Sequence, residues 1–168
     1  MRRDSAAFST CGTYRYELRR YLGEGAPLVI CGLNPSSADA ETDDPTLRRD
    51  IGFAQRWKCG LVVKVNAYAL IETDVAKMKR QRAAGRDVIG PENERWLRRA
   101  IRLARDHNGI FLAAWGAHIE PDRQHAIAVR LAAAKVTARC LGMNKNGTPA
   151  HELYVPYDRA LRDWRPQL

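Results

Sequence analysis

Four short apolar runs rich in branched residues, Pro27–Cys31, Leu61–Val65, Ile110–Ala114 and Val136–Leu141, are spaced along the chain with segments of helical character between them. Each run has the length of a buried strand and too few residues for a core helix. The clearest helical segment opens at Pro91, carries Glu92 and Glu94 in its first turn and continues through Asp106, with Trp96, Leu97, Ala100, Ile101 and Ala104 on one face. Thr46–Trp57 and Pro121–Ala134 read as further helices, and Tyr14–Tyr21 as an N-terminal one. Strands alternating with helices predict an α/β fold, a three-layer α/β/α arrangement around a four-stranded, mostly parallel sheet. A length of 168 residues suits one domain over residues 1–168.

The same reading bounds the environment. No run of eighteen apolar residues exists, and Met1–Ser5 is not followed by an apolar signal core, so a cytoplasmic protein without membrane contact is expected. Cys11, Cys31, Cys59 and Cys140 are scattered without a C-x-x-C pair, predicting reduced thiols and no metal or other cofactor. The formal charge of +9 favours a polyanionic partner, because neutralised phosphates release counterions. The arginine stripe Arg95, Arg98, Arg102 and Arg105 reads as a solvated helix face. The basic stretch Lys77, Lys79, Arg80, Arg82, Arg86 is either a solvated connection or an edge that meets phosphates.

In a parallel α/β sheet, ligands bind beyond the carboxyl ends of the strands. The polar residues collect there: Gly32-Leu33-Asn34-Pro35-Ser36-Ser37-Ala38-Asp39 after the first run, Asn66-Ala67-Tyr68 after the second, Trp115-Gly116-Ala117-His118 after the third, and Gly142 to His151 after the fourth. Taken singly each has an ordinary alternative. Asn34-Pro35-Ser36 opens turns, Asn66 caps helices, Trp115 fills cores, and His118 and His151 sit in polar loops.

In order, these pieces resemble the uracil-DNA glycosylase superfamily over residues 27 to about 155. Gly32-Leu33-Asn34-Pro35-Ser36 is similar to its water-activating motif, closest to the mismatch-specific branch. Val62-Val63-Lys64-Val65-Asn66-Ala67 resembles the strand whose last Asn reads the flipped base, and Phe111 to His118 the Leu-Leu-Trp-Gly-x-His segment. Phe53 falls where the superfamily places its stacking aromatic. The last motif departs: Thr148-Pro149-Ala150-His151-Glu152-Leu153-Tyr154 stands in place of His-Pro-Ser and a wedging leucine. The pattern also resembles a bacterial and phage family catalogued as domain of unknown function sixteen forty-three, which carries no activity.

The resemblance implies a monomeric DNA glycosylase that acts on DNA, flips a base and hydrolyses its bond to the sugar, with no obligate protein partner. It assigns Asn34 to the water, His151 to the oxygen that gains charge, and Asp39, or Asp43 or Asp44, to an auxiliary carboxylate, the alternative for Asp43 and Asp44 being helix capping before Thr46. Phe53, Asn66, Tyr68, Pro35 and Ser36 would hold the base, and Leu153, His118, Lys145, Arg80 and Arg82 the DNA. Lys145 is the one lysine in the strand-end segments, so a monofunctional hydrolase is expected. Small Ser36, Ser37 and Ala38 behind the water motif imply room for a bulky modified pyrimidine, as in phage DNA, and a defence role. The competing readings are a nucleoside or nucleotide hydrolase or transferase, a non-catalytic nucleic-acid binder, and a protein-interaction module.

Overall fold

A computed structural model describes residues 4–166. Each of the four apolar runs contributes a strand, the fourth only over Arg139–Cys140, and these lie side by side as the parallel centre of the sheet. Pro27–Gly32 (β3) pairs with Leu61–Asn66 (β4) on one side and Ile110–Ala113 (β5) on the other. Arg139–Cys140 (β6) joins beyond β5. Every residue of β3 is buried, which is why it reads as an uninterrupted apolar run.

The sheet is larger than the expected four strands. It has seven, in the order β1-β2-β4-β3-β5-β6-β7. Ser5–Phe8 (β1) and Arg15–Tyr21 (β2) form an antiparallel hairpin that pairs with β4, and Arg162–Asp163 (β7) closes the other edge antiparallel to β6. The expected helix over Tyr14–Tyr21 is therefore a strand. Tyr14, Tyr16 and Leu18 alternate with charged residues at period two, and tertiary contacts satisfy those charges: Arg20 Nε donates to Asp43 Oδ1 at 2.8 Å, and Arg15 Nη1 to the carbonyls of Ser36 and Ala38.

Helices cover both faces. Pro45–Arg56 (α1) packs Leu47, Phe53 and Ala54 with Leu28, Ile30, Val62 and Leu112 on one face. Asn93–Asp106 (α3) and Pro121–Ala133 (α4) pack with Val29, Cys31, Val63, Val65, Phe111 and Ala113 on the other. Val75–Ala83 (α2) adds Met78 to the second layer and turns most of the basic stretch into a helix. The α1 start is fixed by Asp44, whose carboxylate accepts from Leu47 N at 2.8 Å, with Pro45 in the first turn. Arg95, Arg98, Arg102 and Arg105 are exposed on α3. Among the described residues no helix is long and apolar enough to cross a membrane.

Candidate functional site

A cavity of about 650 Å³ opens at the carboxyl ends of β3 and β5. Its walls come from the loop after β3 (Asn34, Pro35, Ser36), the start of α1 (Thr46), the loop into α2 (Glu72, Thr73), the loop after β5 (Trp115 to His118) and the segment Ala150–Val155. Chain crossings at a parallel sheet leave such a crevice where neighbouring strands send their loops apart.

Asn34 is half-buried, and its Nδ2 donates to the Glu72 carbonyl and, at 3.4 Å, to the Pro35 carbonyl. With the amino group committed, Oδ1 is the atom left to accept a hydrogen bond. Ser36 Oγ donates to Asp44 Oδ2, so the turn after β3 is tied to the cap of α1. Bonds from Ser36, Leu47 and Ala38 hold the Asp44 carboxyl low against the opposing effect of burial.

His151 precedes a single 3-10 turn, Glu152–Tyr154, and caps it: Leu153 N donates to His151 Nδ1 at 3.2 Å. An occupied Nδ1 lone pair puts the proton of the neutral ring on Nε2. Burial pushes the imidazole below its ordinary value; the Glu152 carboxylate opposes this and Lys64 adds to it. The ring packs against Gly116, where an added Cβ would meet the His151 Cβ at 3.3 Å. His151 is thus a neutral donor on the wall of a pocket.

The structure brings Asn34, Pro35, Ser36, His118, His151 and Leu153 to this cavity, and leaves other expected residues away from it. Phe53 is fully buried under the sheet, its ring 5.0 Å from that of Trp57 and 4.8 Å from that of Tyr157, so it is core and not a stacking surface. Tyr68 is buried as well, its hydroxyl accepting from Glu120 N at 3.2 Å. Asn66 is 2% exposed and sits beside Gly32 as its register partner on the neighbouring strand, outside the cavity lining. Asp39 accepts from Glu41 N at 2.9 Å and Thr42 N at 2.7 Å in an exposed loop, a turn-forming role. Arg82 pairs with Asp122 at 2.6 Å, while Arg80 and Lys145 are exposed and outside the cavity lining. Trp115 shows the cavity one edge; its Nε1 donates to Gln124 at 2.9 Å and its ring meets Trp164 edge-on.

Three features escaped the sequence reading. The carboxylate on the cavity wall is Glu72, held low mainly by Lys77 at 2.8 Å and Asp74 N. The aromatic at the mouth is Tyr154, 83% exposed, next to half-buried Leu153. Lys64, in the middle of β4, is buried and pairs with Asp50 and Glu152. A lysine inside an apolar strand is the signal that such partners must exist.

A family profile described as Protein of unknown function (DUF1643) matches residues 15–153. The chain belongs to that family. The matched span runs from the start of β2 to Leu153, so in this DUF1643 chain it contains nearly every wall of the cavity. Neither a curated protein nor a solved structure matches the chain significantly.

Proposed function

We propose that this protein is a DNA N-glycosylase that accepts a flipped, modified base in the cavity and hydrolyses its bond to the sugar, using the four-strand parallel centre as a uracil-DNA glycosylase-like scaffold. The observation that carries the reading is that Asn34 and a neutral His151 share one cavity lined mainly by uncharged groups. A planar, neutral base with hydrogen-bonding edges suits such a lining better than a phosphate does.

In this reading the base leaves as an anion, and the His151 Nε2–H stabilises the oxygen on which charge develops. The donor strengthens as the bond breaks, which is what lowers a barrier. Asn34 Oδ1 orients the attacking water; an amide takes no proton at neutral pH, so the proton the water loses goes to the carboxylate of Glu72, which replaces Asp39 in that role, and from there to solvent, while the base anion is protonated by solvent after release. The cavity of about 650 Å³ leaves space beyond a bare pyrimidine, in keeping with a bulky substituent. Tyr154 and Leu153 at the mouth fill the gap left in the duplex. The charge of +9 supports DNA as the partner, and viral DNA with modified pyrimidines as the target in defence.

The test is incubation of purified protein with duplexes carrying unmodified bases, uracil, hydroxymethylcytosine or glucosylated hydroxymethylcytosine, followed by alkaline cleavage at abasic sites. Alkali-labile sites are expected on the modified strands. His151→Ala and Asn34→Ala should each slow their appearance roughly 10²–10³-fold, the usual effect of removing one such group. Absence of alkali-labile sites on every duplex overturns the proposal.

A further inference from the structure

Directly behind His151, Lys64 of β4, Asp50 of α1 and Glu152 of the 3-10 turn meet in the interior, with side chains 7%, 0% and 0% exposed. Lys64 Nζ lies 2.9 Å from Asp50 Oδ2 and donates to Glu152 Oε1. One cation faces two carboxyl groups. Ionising both would leave an uncompensated negative charge away from water, which interiors do not tolerate. The hydrogen bonding points the same way. Among the described residues, both Asp50 oxygens and Glu152 Oε2 lack a hydrogen-bond partner, the Asp50 contact to Lys64 being ionic without bond geometry. A hydroxyl on Asp50 turned to Glu152 supplies a donor and satisfies an oxygen on each side.

We infer that Asp50 and Glu152 share one proton at neutral pH, so that the triad with Lys64 is electrically neutral and positions His151 as an Nε2–H donor towards the cavity. Burial pushes Asp50 well above the usual carboxylate range, whereas for Glu152 the attraction of Lys64 and His151 outweighs burial and holds it low. Glu152 Oε2 is 3.5 Å from His151 Nδ1. Two neighbours therefore compete for that nitrogen: Leu153 N–H needs its lone pair, and an anionic triad would favour a proton there. A neutral triad lets Leu153 prevail. The other charged groups facing the triad are Arg15 of β2, which acts on Asp50 through space, and Arg49 of α1, whose guanidinium is spent on the Glu152 and Val155 carbonyls.

The catalytic use of this arrangement rests on the glycosylase reading; the shared proton does not. Capillary electrophoresis at pH 7 of the full chain, Asp50→Asn, Glu152→Gln and the double variant counts it. Each near-isosteric single substitution should leave the net charge unchanged, because the remaining carboxylate balances Lys64, and the double variant should gain one positive charge. A single substitution that adds a charge overturns the inference. Should a variant fail to fold, the parent still answers by infrared spectroscopy: a protonated-carboxyl C=O band at pH 7 is expected, and its absence overturns the inference. In nuclear magnetic resonance, Asp50→Asn should leave the His151 imidazole titration in place; a downward shift of tenfold or more in proton affinity means that Asp50 was charged. A correct charge count without base release sinks the glycosylase proposal alone.

Discussion

At the scale of single residues, the protonation of His151 decides what the cavity can do. Because burial holds its folded-state pKa below the ordinary 6.5, the unfolded chain takes up the proton first as pH falls. Unfolding free energy should then decrease as pH drops from 6.5 towards the folded value, and the His151→Gln variant should lose that part of the slope in urea titrations. Base release should fall as pH drops through the lower, folded-state value, since an imidazolium takes its second proton at Nδ1 and gives up the bond from Leu153. Gly116, at φ +74°, is the backing plate for the ring. Replacing it with Ala strains the backbone and presses Cβ on the imidazole, so a loss of about 1–3 kcal/mol in chemical denaturation is expected. Asn34 and His151 were legible from sequence because loops after parallel strands are where ligands sit. Phe53 was misplaced because a helix face can turn an aromatic into the core as readily as towards a ligand: it shares its inward side with Leu47 and Ala54. Lys64 breaks an apolar strand, which is a signal in itself, but its partner Glu152 is 88 residues away and no local pattern joins them.

At the scale of elements, α1, α3, α4 and the central strands follow from periodicity and caps, while α2 and the hairpin at the edge do not. β2 carries four charged residues among seven, a composition that suits an exposed helix until the partners of Arg15 and Arg20 are known. Those partners lie in the loop between β3 and α1, which has no regular structure of its own. Arg15→Met should loosen that loop selectively. Removing charge-assisted bonds to the Ser36 and Ala38 carbonyls leaves buried acceptors unpaired, at roughly 1–3 kcal/mol. Hydrogen exchange at Ala38 N and Leu47 N, both held by Asp44, should quicken at least tenfold while amides in β3 and β5 keep their protection. Uniform quickening across the sheet would show instead that β2 supports the whole core. On β3, Gly32 is needed for space: a Cβ would stand 2.8 Å from Asn66 Oδ1 and 3.1 Å from Lys64 Cε. Asn66 therefore fills the space beside Gly32, two residues before Asn34.

For the whole molecule, the question is where the excess of nine positive charges acts. The stripe on α3 is solvated, and its helix packs on the layer formed with α4, whereas two other cations are tied to the cavity mouth by their neighbours. Lys145 lies between Asn144, on the cavity wall, and Asn146, whose Nδ2 donates to the Ala117 carbonyl of the opposite rim at 2.9 Å. Arg80 stands on α2 five residues beyond Val75, which lines the cavity, a rise of about 7.5 Å along the helix axis. On the glycosylase proposal, a duplex presenting a base to the cavity would pass over both. Affinity for duplex DNA should fall linearly on a log–log plot against salt, and each phosphate contact removed should lower that slope by about 0.9. Lys145→Gln and Arg80→Gln should each flatten the line by about that amount, Arg98→Gln and Arg102→Gln should not, and Asn34→Ala should leave the slope as it is while slowing base release. Flattening by the α3 substitutions instead would move the DNA path to the layer of α3 and α4, away from the cavity, and separate binding from the proposed chemistry.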